Sequence, residues 1–330
     1  MKPKLKFLWI DDDPERKRES ENMVKRLDVH LDFIDVKDKV LQETLENKLP
    51  RDMPDLILMD HMLNKVKGSG IKTGSTAAEV IRERWPECPI VCVTGVDVMK
   101  DIHSHQKSLY EEIIRIDNIS HSDKTLLAIA NSFSELKESR PHNMNDLLNL
   151  FNPPEDDRER LTAVIPDDLK KEEFYNDKSL LLSISSWVRH TLMKKPGFLY
   201  DRMWAATLLG IKEESFAKVE NIFEDAEYRG IFADQSRERW WQSKLLEIIF
   251  SRNPDSSSVY SWELGRKLDG ITESDFSKCY SSKEDYPEVV AYTDEKSEKR
   301  APVRLQYTVP HPGFEKSLFF EEIRMMKGAE

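Results

Sequence analysis

Between Leu5 and Asp117 the chain carries five apolar or alternating runs: LKFLWI, VHLDFIDV, DLILMD, IVCVTG and EIIRID. Stretches as continuously apolar as FLWI and LILM belong to strands covered on both faces, and such strands sit in a parallel sheet with helices on each side. Helical patterns fill the gaps. PERKRESENMVKRL has Pro14 at its start and Glu15 in its first turn, and KDKVLQETLENKL follows the second run. STAAEVIRERW offers a capping box in Thr76 and Glu79, with Ala77, Val80, Ile81 and Trp85 at helical spacing. SDKTLLAIANSFSELKE closes the series. A βα unit repeated five times predicts an α/β, doubly wound, five-stranded parallel sheet.

In open sheets of this kind sites form at the carboxyl ends of strands. Asp11, Asp12, Asp60 and Thr94 all fall at such ends. Any one of them alone reads as a solvated turn residue; four together read as a constellation. Clustered carboxylates repel and are costly to desolvate unless a cation compensates. Their oxygens suit Mg²⁺, which binds through a few carboxylates and keeps several waters. Such an ion can hold the oxygens of a phosphoryl group moving onto a carboxylate, and a hydroxyl one strand away can hydrogen-bond the arriving group.

With WIDDDP, DLILMD, PIVCVTG and the βα order in place, residues 4–138 resemble the receiver domain of bacterial response regulators, a divergent CheY-like domain with the flavodoxin-like fold. The resemblance implies that Asp60 is the phospho-acceptor, that Asp11 and Asp12 are the metal-binding acid pair, and that the carbonyl of Met62 is a further Mg²⁺ ligand. Thr94 becomes the switch hydroxyl, and Asp13 an ordinary turn or helix-entry residue. It further implies a histidine kinase or other phosphodonor and a downstream effector protein as partners, and allows a homodimer. Its chemistry would be at most the protein's own phosphoryl transfer and dephosphorylation. The sequence departs from the family where a lysine followed by proline should end the fifth strand. An ungapped alignment from Thr94 puts Ile116 there, and a slip of one residue makes Arg115 the replacement. The loop after Asp60 is long and carries Lys65, Lys67 and Lys72. A haloacid-dehalogenase-like phosphatase also places an aspartate after its first strand, but wants Asp-x-Asp-x-Thr or Val; here Asp11 and Asp13 are followed by Glu15.

Composition bounds the remainder. The formal charge of −11 divides as −4 over residues 1–150 and −7 over 151–330, a poor match for phosphate backbones. Three cysteines give no disulfide framework and fit a reducing cytosol; Cys88 and Cys92 read as buried strand residues. No run approaches a membrane span, so a cytoplasmic protein without a membrane partner is expected. Residues 139–160, rich in Pro, Asn and charge, read as a linker with one short helix at MNDLLNLF, which sets domains at 1–138 and 161–330. The second domain reads as mainly helical. AATLLGIKEESFAKVENIF resembles a helix-turn-helix with Gly210 at the turn, but its second helix would expose Glu220, Glu224, Asp225 and Glu227. SSVYSWELGRKL and TESDFSKCY look like short helices ahead of a hairpin in which Val303, Leu305 and Tyr307 alternate with Arg304, Gln306 and Thr308. That order suggests winged-helix-like modules used for protein contact. The leading functional expectation is a signalling protein that takes phosphate on Asp60 and switches a protein-interaction output. A DNA-binding transcriptional regulator and a phosphate-independent pseudo-receiver scaffold are the alternatives. The histidines form no catalytic set, and a Cys279–His311 pair lacks an orienting partner.

Overall fold

The computed structural model describes residues 4–36, 49–50, 52–63, 73–95, 102, 107–233, 238–254, 256–284, 286–296, 298–314 and 316–328. It divides into two compact units, Met1–His142 with Lys171–Ser186, and Asn143–Lys170 with Trp187–Glu330.

The first unit is built on five parallel strands: β1 (Lys6–Asp11), β2 (His30–Asp35), β3 (Leu56–Asp60), β4 (Ile90–Thr94) and β5 (Glu112–Arg115). They lie in the order β2-β1-β3-β4-β5, the doubly wound order of flavodoxin-like folds, as expected. Burial explains the order. The central strands are covered throughout, with Phe7, Leu8, Trp9, Ile10, Leu56, Ile57, Leu58, Met59, Ile90, Val91, Cys92 and Val93 all buried. The edge strand β2 alternates between covered and exposed positions, as one-sided edges allow.

Helices α1 (Arg16–Leu27), α2 (Gly74–Arg84) and α3 (Asp123–Glu138) flank the sheet. The helix expected over 37–49 lies almost wholly outside the described residues. In α2 the cap differs from the capping box expected at Thr76 and Glu79. Thr73 is the extended N-cap residue, and its side chain accepts from the Thr76 amide at 3.4 Å. The helix therefore starts at Gly74, a position without a Cβ. A Cβ there would stand 2.1 Å from the Asp60 carbonyl oxygen, so glycine is what lets α2 meet the end of β3. Ala77, Ala78, Ile81 and Trp85 join the core with Cys88 and Cys92. Burial pushes the Cys88 thiol up to about 12, which fits packing rather than metal ligation.

Residues 139–160, expected as a linker, hold the whole of α4 (Met144–Phe151) and the first part of α5 (Glu155–Val164). Asn143 caps α4 by accepting from the Asp146 amide, and Leu147, Leu148 and Phe151 are buried. The units also interleave. The chain enters the second unit at Asn143, returns to the first at Lys171 and leaves it again after Ser186, within α6 (Leu180–Trp187). A boundary read from composition could not show that return, because residues 171–186 carry ordinary helical patterning.

The second unit is helix-rich with two small sheets. Among its elements are α7 (Arg202–Leu208), α8 (Glu213–Phe216), α9 (Gln242–Ser251) and α10 (Ser261–Gly265). Strands β6 (Leu199–Tyr200) and β7 (Trp240–Trp241) pair antiparallel. Strands β8 (Val289–Tyr292), β9 (Arg300–Val303), β10 (Thr308–Pro310) and β11 (Arg324–Met326) lie in the order β10-β11-β8-β9, with β11 parallel to β8. The hairpin of Val289 against Val303 is present, but its alternation stops there. Residues Leu305–Tyr307 form a 3-10 turn, and Thr308 begins a strand paired elsewhere. The second helix of the expected helix-turn-helix is only four residues long and gives way to a 3-10 stretch over Glu220–Ala226. Phe216, Val219, Phe223 and Ala226 do share one buried cluster, as their spacing implies. Among the described residues nothing in these elements supports winged-helix modules. No described helix is long and apolar enough to cross a membrane.

Gly210 turns the chain between α7 and α8 with φ +67°, and a Cβ there would meet the Trp262 Cβ and carbonyl oxygen at 2.9 Å. Gly210→Ala should cost about 2–3 kcal/mol, combining left-handed strain with the clash. Chemical denaturation checks this; an unchanged midpoint would contradict the packing described for that turn.

Candidate functional site

Parallel register delivers the site. Ile10 stands opposite Met59, and Asp60 opposite Val93. The residues that end β1, β3 and β4 therefore emerge side by side at one edge. Asp11, Asp12 and Asp60 each bring a carboxylate oxygen to within 4.8 Å of the others. They line a cavity of about 230 Å³ together with Asp13, Arg16, Met62, Val93, Thr94, Gly95 and Ile116.

Each side chain is held by local chemistry. Asp11 is buried, accepting from the Trp9 indole N–H at 3.3 Å and from the Asp13 amide at 2.8 Å. Asp13 performs the helix-entry role expected of it, its side chain accepting from the Glu15 amide at 3.1 Å. Its carbonyl accepts from the Arg16 amide at 3.0 Å. Asp60 accepts from the amides of His61 and Met62. Thr94 is buried, and its hydroxyl has no hydrogen-bond partner among the described residues. An orphaned hydroxyl in a buried position costs free energy unless some group completes it.

Electrostatics follows burial. Desolvation first, then the charge of Asp11, pushes Asp60 up to about 7. Asp11 rises to about 6, mainly by desolvation, with Asp12 adding to the rise and hydrogen bonds from Asp13 and Trp9 opposing it. A divalent cation would reverse the sign of this balance. The donor set, all oxygen and clustered, fits Mg²⁺; Asp11, Asp12 and Asp60 are the residues that could hold it, and Met62, whose carbonyl was the further ligand expected, lines the same cavity.

The structure brings together some of the residues singled out in the sequence and not others. Asp11, Asp12, Asp60, Met62 and Thr94 meet at one cavity. Arg115 does not join them. Its guanidinium lies 3.4 Å from Asp117, the side chain is 43% exposed, and Ile116 lines the cavity instead. Strand β5 ends at Arg115 and turns directly into a 3-10 helix over Ile116–His121, which pairs Arg115 with a residue of that turn. Lys65, Lys67 and Lys72 lie outside the described residues. Among the described residues the cation at the cavity is Arg16, which sequence reasoning missed; it stands in the first turn of α1, three residues past Asp13, and also pairs with Glu19 at 3.0 Å. A second missed group is Tyr110, buried just before β5, whose hydroxyl donates to Ser75 Oγ at 3.4 Å and lies 3.5 Å from His61 Nδ1. His61, the residue after Asp60, is buried, and desolvation lowers its pKa. Cys279 is buried in a small cluster with Ala291 and Val303, whereas the His311 ring packs against Tyr292 and Phe314.

No protein-family model matches the sequence, and no curated protein matches it. Solved structures do. A response regulator receiver domain protein from Clostridium thermocellum is 18% identical, covering 40% of this chain and 97% of that one, with a TM-score of 0.32. A CheY-like receiver domain protein from Methanospirillum hungatei JF-1 is 15% identical over 41% of this chain and 98% of that one, TM-score 0.31. An adenylate cyclase from Rhodopirellula baltica is 12% identical over 41% and 96%, TM-score 0.33. The flavodoxin-like fold of the first unit stands on its strand order and register.

The raised carboxylates set a pH dependence. A carboxyl that ionises near 7 in the fold, against an ordinary value of 3.8, keeps its proton in the native state across that window while the unfolded chain has lost it. Stability must then fall as pH rises from about 4 to about 7. In metal-free buffer the melting temperature should decline over that range. Asp60→Asn should flatten the decline and gain on the order of 1–2 kcal/mol at about pH 8, about 2–8 °C. A variant no more stable than wild type at that pH would contradict the crowding of the three acids.

Proposed function

We propose that the chain is a response-regulator-like signalling protein that accepts a phosphoryl group on Asp60 and switches contact with a protein partner. The observation that carries this reading is the Thr94 hydroxyl, buried and unpartnered, at the same cavity as three crowded carboxylates. Crowded like charges favour a bound cation, and a buried hydroxyl favours a group that accepts its hydrogen bond; a metal ion and a phosphoryl group would supply them together.

The residues divide the work. Asp60, ionised, attacks phosphorus with a carboxylate oxygen while the bond to the donor's leaving group breaks; water later cleaves the acyl phosphate. Thr94 donates its hydroxyl to an oxygen of the arriving group. Arg16 supplies a positive charge at the cavity wall, where the family's lysine would otherwise act. Asp11 and Asp12 would hold Mg²⁺, which when bound would neutralise the carboxylates and disperse charge on the transferring group. The phosphodonor is a histidine kinase or a small acyl phosphate, and the protein's own catalysis is confined to this transfer and its reversal by water.

The output is a protein contact. Glu224 and Asp225 are exposed on the segment that most resembled a DNA reader, and its second helix is too short to lie along a groove. One observation favours a phosphate-independent scaffold instead: Arg115 is engaged with Asp117 away from the cavity. Labelling separates the two. Incubation with Mg²⁺ and acetyl phosphate should add about 80 Da, as one acid-stable, base-labile phosphoryl group. Chelation or Asp60→Ala should abolish it. An unmodified mass with several donors, or equal labelling of the variant, would leave the scaffold reading in possession.

The full chain should show no measurable binding to random duplex DNA at low salt, where counterion release favours it most. Tight, salt-sensitive binding in a gel shift would promote the transcriptional-regulator alternative.

A further inference from the structure

Residues 171–186 are part of the first unit, yet the residues on either side of them belong to the second. What fastens this strap is polar and specific. Ser185, fully buried, donates its hydroxyl to Glu111 Oε2. Glu111 is 5% exposed, and its other oxygen lies 3.6 Å from Arg82 Nη2. Arg82, in the last turn of α2, also donates to the carbonyls of Cys88 and Leu109. A second fastening runs through Arg140. It pairs with Glu87, three residues beyond α2, and donates to the Asp177 carbonyl at 2.8 Å. Asp177 in turn accepts from the amide and hydroxyl of Ser179, just ahead of α6.

A buried ion pair gains little over apolar packing of the same volume, so stability alone does not explain Arg82 and Glu111. Their position does. Both fastenings reach the carboxyl end of α2 or the few residues after it. The amino end of α2 is docked on the candidate site, where the Gly74 amide donates to the His61 carbonyl at 2.7 Å and leaves no room for a Cβ beside Asp60. Ser75 Oγ lies 3.5 Å from His61 Nδ1, and Tyr110, next to Glu111, donates to the same hydroxyl. A helix of 11 residues moves as a rod of about 16 Å. A shift of the Asp60–His61 backbone at one end is therefore delivered to the strap's fastenings at the other, through contiguous packed groups.

We propose that α2 couples the occupancy of the Asp60 site to the hold on residues 171–186, making the strap the element through which the first unit signals to the rest of the chain. The proposal rests on the Asp60 site being a cation and phosphoryl site. Coupling is reciprocal: if occupancy alters the hold on the strap, loosening the strap must alter affinity at the site by the same factor.

The test is hydrogen exchange on peptides spanning 171–186 in the full-length protein, with Mg²⁺ alone as the probe. Saturating Mg²⁺ should change exchange in these peptides by about fivefold or more, and Ser185→Ala should shift the Mg²⁺ dissociation constant by a similar factor. Arg140→Gln removes the other, more accessible fastening, and serves should Ser185→Ala fold poorly. If Mg²⁺ binds wild type but neither strap exchange nor the variants' dissociation constants move, the coupling is overturned while the site reading stands. If wild type binds no Mg²⁺, the site reading fails, and comparison of metal-free wild type with Asp60→Asn decides the coupling. A several-fold change in strap exchange supports it; equal exchange overturns it.

Discussion

Three carboxylates held within 4.8 Å of one another at the end of a buried sheet are the constraint on which the first unit turns. Left to themselves they would spread into solvent. They stay together because the apolar strands that carry them are pinned in register, and because Asp11 and Asp60 are anchored by backbone amides, Asp11 by an indole as well. Burial first, and the repulsion after it, appear as raised proton affinity at Asp60 and Asp11. Gly74, which has no Cβ, lets the amino end of α2 lie directly against the Asp60 carbonyl, so the site and a rigid element are in contact.

Much of this was legible in the sequence because strands buried on both faces leave a strong signal. Runs such as FLWI, LILM and IVCV fix strand identity, and the βα alternation fixes the parallel sheet and the edge where a site forms. Asp11, Asp12, Asp60 and Thr94 follow directly, since each ends a strand or, for Asp12, comes directly after one. What failed to show lies where the pattern is short or relational. Arg115 ends a strand of only four residues, and whether it faces the cavity turns on where the next 3-10 turn begins. Arg16 and Tyr110 reach their places through helix phase and packing. Neither leaves a pattern of its own.

The second unit shows the other limit. The spacing of Phe216, Val219, Phe223 and Ala226 correctly marked a buried face but not its conformation, because 3-10 and α turns bury nearly the same positions over so short a span. Past Val303 the alternation of apolar and polar residues suggested a strand, yet Leu305 is exposed and its backbone forms a turn. The interleaving of the units was invisible for a related reason: the residues that bind the strap to the first unit are a serine, an arginine and a glutamate, ordinary on any helix surface.

The most direct measurement is fluorine NMR of the full-length protein with beryllium, fluoride and Mg²⁺, which form a trifluoride adduct on a carboxylate in the manner of an acyl phosphate. The account predicts a set of bound fluorine resonances that needs Mg²⁺, disappears in Asp60→Asn, and is weakened in Thr94→Val, which loses the hydroxyl donor but keeps the shape. Absence of bound resonances in wild type, or their persistence in Asp60→Asn, would contradict the claim that the crowded carboxylates are a phosphoryl-accepting site.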